Sequence, residues 1–108
     1  MSDDDGVDRE VGPHSSTQEP IVRILDIVNK KGLHARASAK FCQTAERFDA
    51  SIKVSRGHET VGGTSIMGLM MLGAGIGSQI TVEATGNEAS AAVDALDKLV
   101  SSGFGEED

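Results

Sequence analysis

The spacing of hydrophobic residues changes repeatedly between residues 21 and 102, and this pattern constrains the fold more than any other feature. Four short segments are rich in β-branched residues or alternate apolar with polar residues, which is typical of strands: 21–28, 51–55, 59–61 and 79–85. Three other segments have apolar runs or helical spacing next to capping residues: about 35–47, 66–72 and 88–100. The order βαββαβα predicts an α+β fold in which three helices cover one face of a four-stranded antiparallel sheet.

The same spacing predicts which side chains form the core. Both faces of the first strand carry apolar residues, and we favour Leu25 and Ile27 as its inward pair. Residues three and four positions apart define the buried faces of the first and last helices: Ser38, Phe41, Cys42, Ala45 and Phe48, and Ala89, Ala92, Val93, Leu96, Leu99 and Val100. Because Cys42 falls on such a face, we expect it to pack inertly rather than to carry redox chemistry.

The net charge of −7 is concentrated at the two ends of the chain. Residues 1–20 carry six acidic residues against one arginine, residues 103–108 carry three acidic residues, and residues 21–102 are nearly neutral with eight acidic and nine basic residues. Acidic segments without a hydrophobic period are typical of solvated, disordered chain. We therefore predict one folded domain, 21–102, between a disordered acidic extension, 1–20, and an acidic tail, 103–108.

Composition disfavours several classes of protein. The chain has no apolar stretch long enough to cross a bilayer, and its first ten residues are acidic where a signal peptide would be basic. A single cysteine cannot form an internal disulfide, so these features together predict a cytoplasmic protein without membrane insertion. A nucleic-acid role is not expected, because the 21–102 segment is not basic and the chain has no Trp or Tyr for base stacking.

Neither a metal site nor a nucleotide site is expected. His14, His34 and His58 do not share the spacing of metal ligands. The glycine-rich segment 73–77 (GAGIG) lacks the Lys-Ser/Thr pair of a P-loop and follows a helix rather than a strand. We interpret it as a loop, and no cofactor is predicted.

His34 is the first candidate for chemistry, because it lies between a glycine turn and the predicted start of a helix, in GLHAR (32–36). A helix N-terminus presents unpaired N–H groups and about half a positive charge, which suits an anion. A neutral histidine there can attack phosphorus with its unprotonated ring nitrogen, and the new phosphoryl oxygens can meet backbone N–H groups and Arg36. By position alone, an ordinary surface histidine in a turn is the more common case.

Ser65, directly before the apolar run 66–72, is the second candidate. A serine at this place is a typical helix N-cap, which contributes about 1 kcal/mol, and position alone favours that role. The alternative is a phosphorylation site. A phosphate would add nearly two negative charges at a helix N-terminus, where they are tolerated, and would act by changing the surface charge.

The short helix that follows Ser65 is too apolar for all of its side chains to point inward. Leu69 and Leu72 are expected in the core. The remaining residues either extend the core or form an exposed patch suited to adaptable docking of a partner protein, and the patch would consist of Ile66, Met67 and Met70.

Two segments together resemble a known family. Residues 31–39 (KGLHARASA) resemble the active-site segment of HPr, the histidine-containing phosphocarrier of the phosphoenolpyruvate-dependent phosphotransferase system. Residues 64–73 (TSIMGLMMLG) resemble the regulatory serine segment of that family. The separation of the two segments and the hairpin between them also match, and the resemblance covers roughly residues 21–101.

The resemblance implies an open-faced β-sandwich and a monomer that carries a phosphoryl group without being an enzyme. It implies that enzyme I phosphorylates His34 on Nδ1, ultimately from phosphoenolpyruvate, that Arg36 stabilises the group, and that an enzyme IIA protein receives it. Ser65 matches the serine that is modified by HPr kinase/phosphorylase. The family's residues for docking on enzyme I and enzyme IIA match Ile66, Met67 and Met70.

One residue departs from the family pattern. Ala37 follows the arginine where the family usually has proline. Proline suits a first helical turn through its fixed φ and missing N–H, but alanine is also a good helix former, so we expect the helix to persist with one additional N–H near the phosphoryl site. Transfer rates are expected to differ rather than to vanish.

A second function of another class is also compatible with the sequence. Some members of such a family act mainly as regulatory binding modules, which dock on other proteins in a way that depends on the serine. The retained pair of His34 and Arg36 argues against a purely regulatory role.

Overall fold

One four-stranded antiparallel sheet organises the computed structural model, which describes residues 19–106. The strands are β1 (Ile21–Asp26), β2 (Ser51–Arg56), β3 (Glu59–Gly62) and β4 (Gln79–Thr85). They lie in the order β1-β4-β2-β3, so that β4 pairs with both β1 and β2, and β2 and β3 form a hairpin. The four predicted strands are confirmed, although the first ends at Asp26 rather than at residue 28.

Three helices complete the α+β fold, and the predicted order βαββαβα is confirmed. They are α1 (Ala35–Ala45), α2 (Ile66–Met71) and α3 (Ala89–Ser101). Alternate residues of the central strand β4 are fully buried, Ile80, Val82 and Ala84 among them, while the residues between them remain partly exposed. This alternation is what a sheet covered on one face requires.

The predicted core is found almost as expected. Leu25 and Ile27 are buried, as is Cys42, and burial raises the pKa of the Cys42 thiol. The two helical stripes face the sheet, with Phe48 and Leu99 partly buried at their margins. None of the helices within residues 19–106 is long and apolar enough to span a membrane.

The start of α3 differs from the prediction. The N-cap preference of asparagine predicts that Asn87 caps this helix, with Glu88 in the favourable first turn. Instead Glu88 occupies the N-cap position without a side-chain cap, and its Oε1 accepts a hydrogen bond of 2.7 Å from the Asp49 N–H. Asn87 Nδ2 donates to Asp49 Oδ2 at 3.0 Å. Both side chains therefore hold the turn before β2 instead of capping α3.

The prediction of a solvated tail from residue 103 was wrong for its first part. Gly103–Gly105 form a 3₁₀ turn directly after α3, and Phe104 is buried in the core with only 1% of its surface exposed. Phe104 has a φ of 59°, a left-handed conformation that a bulky residue adopts only where packing compensates for it. Residues 107–108 of the predicted tail, and residues 1–18 of the predicted extension, lie outside the described residues.

Candidate functional site

His34 is the N-cap residue of α1, as the sequence predicts. Its backbone is extended, with φ −73° and ψ −178°, and its carbonyl accepts the first helical hydrogen bond from Ser38 N–H at 2.8 Å. The imidazole makes no capping bond, and a quarter of the His34 side chain is exposed. The ring is therefore available for other partners beside the positive end of the helix.

A close approach of two loops fixes the turn before His34. Gly32 has a φ of +63°, and a Cβ on it would lie only 2.3 Å from the Ala74 carbonyl oxygen. The same oxygen accepts a hydrogen bond of 2.9 Å from the Leu33 N–H. Only glycine fits this contact. The glycine-rich segment 73–77, which the sequence excluded as a nucleotide site, thus acts as a support for the histidine turn.

Arg36 and Ala37 occupy the first turn of α1. Arg36 is exposed two residues after the histidine, whereas Ala37 is fully buried. The helix forms with alanine where the family usually has proline, as expected. The exposed guanidinium shares the N-terminal turn with His34, where an anion would be favoured.

Sequence reasoning missed two residues of the site: Glu106, which contacts the imidazole, and Asn29, which contacts Glu106. His34 Nε2 forms a hydrogen bond with Glu106 Oε2. Asn29 is 2% exposed and donates from Nδ2 to Glu106 Oε1 at 3.1 Å and to the Gly32 carbonyl at 2.9 Å. The one available signal was Phe104, a large apolar residue within an acidic segment, which indicates an anchor.

The Glu106 carboxyl favours one arrangement of the proton in its contact with His34. Hydrogen bonds from His34 and from Asn29 lower the pKa of the Glu106 carboxyl, and Lys40 adds a smaller effect of the same sign. An ionised carboxylate can only accept hydrogen bonds. In the neutral ring this contact favours the tautomer with the proton on Nε2, which leaves the free electron pair on Nδ1.

Ser65 is the N-cap residue of α2, which confirms the local prediction. Its Oγ accepts a hydrogen bond of 3.0 Å from the Gly68 N–H, and its carbonyl accepts one of 3.0 Å from Leu69 N–H. At the other end of α2, Arg56 Nη1 donates to the Leu72 carbonyl at 3.0 Å. Both ends of this short helix are fixed, and the Ser65 residue remains exposed.

The outer face of α2 is an exposed apolar surface. Leu69 and Leu72 are buried as predicted. Four apolar residues of α2 are exposed, and we call them the α2 patch: Ile66, Met67, Met70 and Met71. Met70 also lines a shallow cleft that contains His34, so the patch reaches the histidine. Among residues 19–106, no group of three acidic, His or Cys side chains is arranged to hold a metal ion.

Comparisons with known proteins identify the family to which this chain belongs. A family model described as the PTS HPr component phosphorylation site matches residues 21–102. The phosphocarrier protein HPr of Cupriavidus necator is 52% identical over 84 residues, which span 78% of this chain and 94% of that protein. The chain belongs to the HPr family.

Relatives in this family carry two names. A phosphocarrier protein NPr from Shewanella violacea is 43% identical over 84 residues, which span 78% of this chain and 92% of that protein. The crystal structure of HPr from Thermoanaerobacter tengcongensis superposes with a TM-score of 0.77 at 41% identity, over 81% of this chain and 98% of that one. The chain is thus an HPr-type phosphocarrier, a component of the phosphotransferase system, with the open-faced fold of that family.

Proposed function

We propose that this chain accepts a phosphoryl group on Nδ1 of His34 from enzyme I and donates it to a histidine of an enzyme IIA protein in the cytoplasm. The observation that supports this most is the imidazole itself. It lies at the N-terminus of α1 with Nε2 bound to a carboxylate, so that Nδ1 is the nucleophilic nitrogen.

The transfer requires little covalent help from the carrier. The Nδ1 electron pair forms the new P–N bond while the P–N bond in enzyme I breaks and its electron pair returns to the donor ring. Such transfers depend mainly on positioning and on stabilising the charge of the phosphoryl oxygens. The unpaired N–H groups of the first turn of α1 and the Arg36 guanidinium supply that stabilisation.

The partners need a surface on which to dock reversibly. The α2 patch borders the cleft that holds His34, and its methionine side chains adapt to differently shaped partners. We assign docking of enzyme I and enzyme IIA to Ile66, Met67 and Met70, and we add Met71 because 73% of its surface is exposed. The carrier meets each of these partners as a monomer, in a small and transient contact.

A reconstituted relay tests the carrier function. Incubation with labelled phosphoenolpyruvate and catalytic enzyme I should place about one acid-labile phosphoryl group on each chain, and adding enzyme IIA should remove it. Sugar-type and nitrogen-type enzyme IIA proteins are compared in parallel to find the acceptor branch. Absence of label would contradict the proposal. Label that passes to neither type of enzyme IIA would favour the alternative of a regulatory docking module.

Ser65 is proposed as the regulatory site, a substrate of HPr kinase/phosphorylase. Its residue is exposed, and the helix N-terminus that it caps tolerates a phosphate. The added charge would lie beside Ile66 and Met67, where an acidic partner surface would be repelled. We expect chains phosphorylated on Ser65 to accept the phosphoryl group from enzyme I at least about tenfold more slowly, which corresponds to ~1.4 kcal/mol.

Purified phosphoserine protein and unmodified protein are compared in the enzyme I reaction for this purpose. Ser65→Ala serves as the matched control, because it removes the hydroxyl without adding charge and should be phosphorylated on His34 at nearly the normal rate. Equal rates for the phosphoserine and unmodified forms would refute the regulatory role.

A further inference from the structure

The contact between Glu106 and His34 joins the last described residue to the candidate nucleophile, and Glu106 lies outside the 21–102 segment that the family model matches. We propose that Glu106 is a positioning residue for His34, which keeps the ring proton on Nε2 and balances the charge that the ring gains when Nδ1 is phosphorylated. This inference rests on the proposed function of His34.

Three contacts hold the Glu106 carboxylate and the turn that precedes it in place. Phe104 is buried in the core and anchors the turn that precedes Glu106. Lys40 of α1 donates from Nζ to the Phe104 carbonyl at 2.7 Å. Asn29 Nδ2 donates to Glu106 Oε1, which leaves Oε2 for His34. A carboxylate fixed at both oxygens has lost much of the side-chain freedom that makes an exposed ion pair weak.

The chemistry of the imidazole ring explains how the Glu106 carboxylate would assist phosphoryl transfer. Neutral His34 has one proton and one free electron pair, and only the form with Nε2–H exposes the pair on Nδ1. When Nδ1 bonds to phosphorus and Nε2 keeps its proton, the imidazole ring becomes positively charged. The Glu106 carboxylate offsets that charge, and donation to the next histidine returns the electron pair to Nδ1 with the Nε2 proton still in place.

Asn29 connects the Glu106 carboxylate to the turn that precedes His34, which supports a positioning role for this contact. Its side chain is almost fully buried, and its amide nitrogen serves both the Gly32 carbonyl of the histidine turn and Glu106. One residue thus ties the backbone before His34 to the carboxylate that holds the ring. A buried polar side chain with such partners fixes geometry rather than adding surface charge.

The test is Glu106→Gln in the full-length chain, which keeps the size of the side chain and removes its charge. ¹H and ¹⁵N NMR of the unphosphorylated protein reports the His34 Nε2–H proton without any partner. In the wild type we expect a downfield Nε2–H signal in slow exchange with solvent. In the variant this signal should move upfield and broaden, since a neutral amide can donate to Nε2 as well as accept from it.

Kinetics supply the second measurement. For the Glu106→Gln protein, we expect kcat to fall about tenfold both in the reaction with enzyme I and in the transfer to enzyme IIA. KM should change little, because the α2 patch is untouched. Glu59→Gln is the matched control. It removes the same charge from an exposed residue of β3 and should leave both the signal and the rates unchanged.

The outcomes separate this inference from the proposed function. An unchanged Nε2–H signal in Glu106→Gln, or unchanged transfer rates, would overturn the positioning role even if His34 is the acceptor. An equal loss in Glu59→Gln would also overturn it, because the effect would then be one of net charge. Failure of the wild type to be labelled at all would refute the function of His34, whereas the NMR signal would still report the contact.

Discussion

Replacement of His34 by alanine is expected to abolish labelling of the chain by phosphoenolpyruvate and enzyme I. The variant lacks the imidazole at the N-terminus of α1, and neither the backbone N–H groups nor the Arg36 guanidinium there can accept a phosphoryl group covalently. The measurement is acid-labile phosphate per chain after a fixed time with enzyme I.

The fold of the His34→Ala protein should be nearly unchanged. The imidazole makes no capping bond, and the His34 carbonyl that begins α1 belongs to the backbone. His58→Ala is the matched control, because His58 is exposed in the β2–β3 hairpin and its removal should leave labelling intact. Normal labelling of His34→Ala would mean that another residue accepts the phosphoryl group.

Phe104→Ala should destabilise the protein by about 3 kcal/mol, as expected for removing a buried phenylalanine from a core. Only 1% of Phe104 is exposed, although it lies in a segment whose charge pattern is that of a solvated tail. The variant should also release Glu106, so the downfield Nε2–H signal of His34 should be lost. Urea unfolding followed by circular dichroism measures the free energy of unfolding.

Phe41→Ala provides the comparison for this variant. Phe41 is fully buried in α1, at the centre of the predicted helical face, and its removal should cost a similar amount. If Phe104→Ala changes the free energy of unfolding by less than about 0.5 kcal/mol, as surface substitutions do, residues after α3 do not belong to the folded domain.

Local patterns predicted the fold well because each element is amphipathic. The alternation in β4 and the three-and-four spacing in α1 and α3 determine which side of each element faces the sheet. Ser65 was predicted as an N-cap from its place before an apolar run, and its Oγ caps Gly68 N–H. The same rule failed for Asn87, because Asp49, distant in sequence, competes for its side chain.

The candidate site was predictable only in part, because some of its residues are distant from one another in the sequence. His34 and Arg36 lie within three residues of each other at a helix start, so a local segment contains both. Glu106 lies 72 residues after His34, and no local period connects them. The acidic composition of residues 103–108 predicted that Glu106 lies in solvent. Phe104, two residues earlier, is buried and brings Glu106 next to the imidazole. Non-local contacts of this kind depend on packing rather than on propensity.

The α2 patch shows the limit of hydrophobicity as a guide to burial. Met71 is apolar, like Leu69, and lies two residues after it, yet 73% of Met71 is exposed while Leu69 is fully buried. A helix of six residues against one sheet can turn only one side inward. An apolar residue on the outer side therefore does not serve the core, and docking is the role that we propose for it.

The location of the phosphoryl group on the intact protein tests the proposed carrier function most directly. After labelling with phosphoenolpyruvate and enzyme I, ³¹P–¹⁵N correlation NMR at alkaline pH identifies the nitrogen that is bonded to phosphorus. We expect a single phosphoryl signal, coupled to Nδ1 of His34, which disappears when enzyme IIA is added. Coupling to Nε2 of His34 or to His58, or a phosphate ester on Ser65 as the only product, would contradict the proposal.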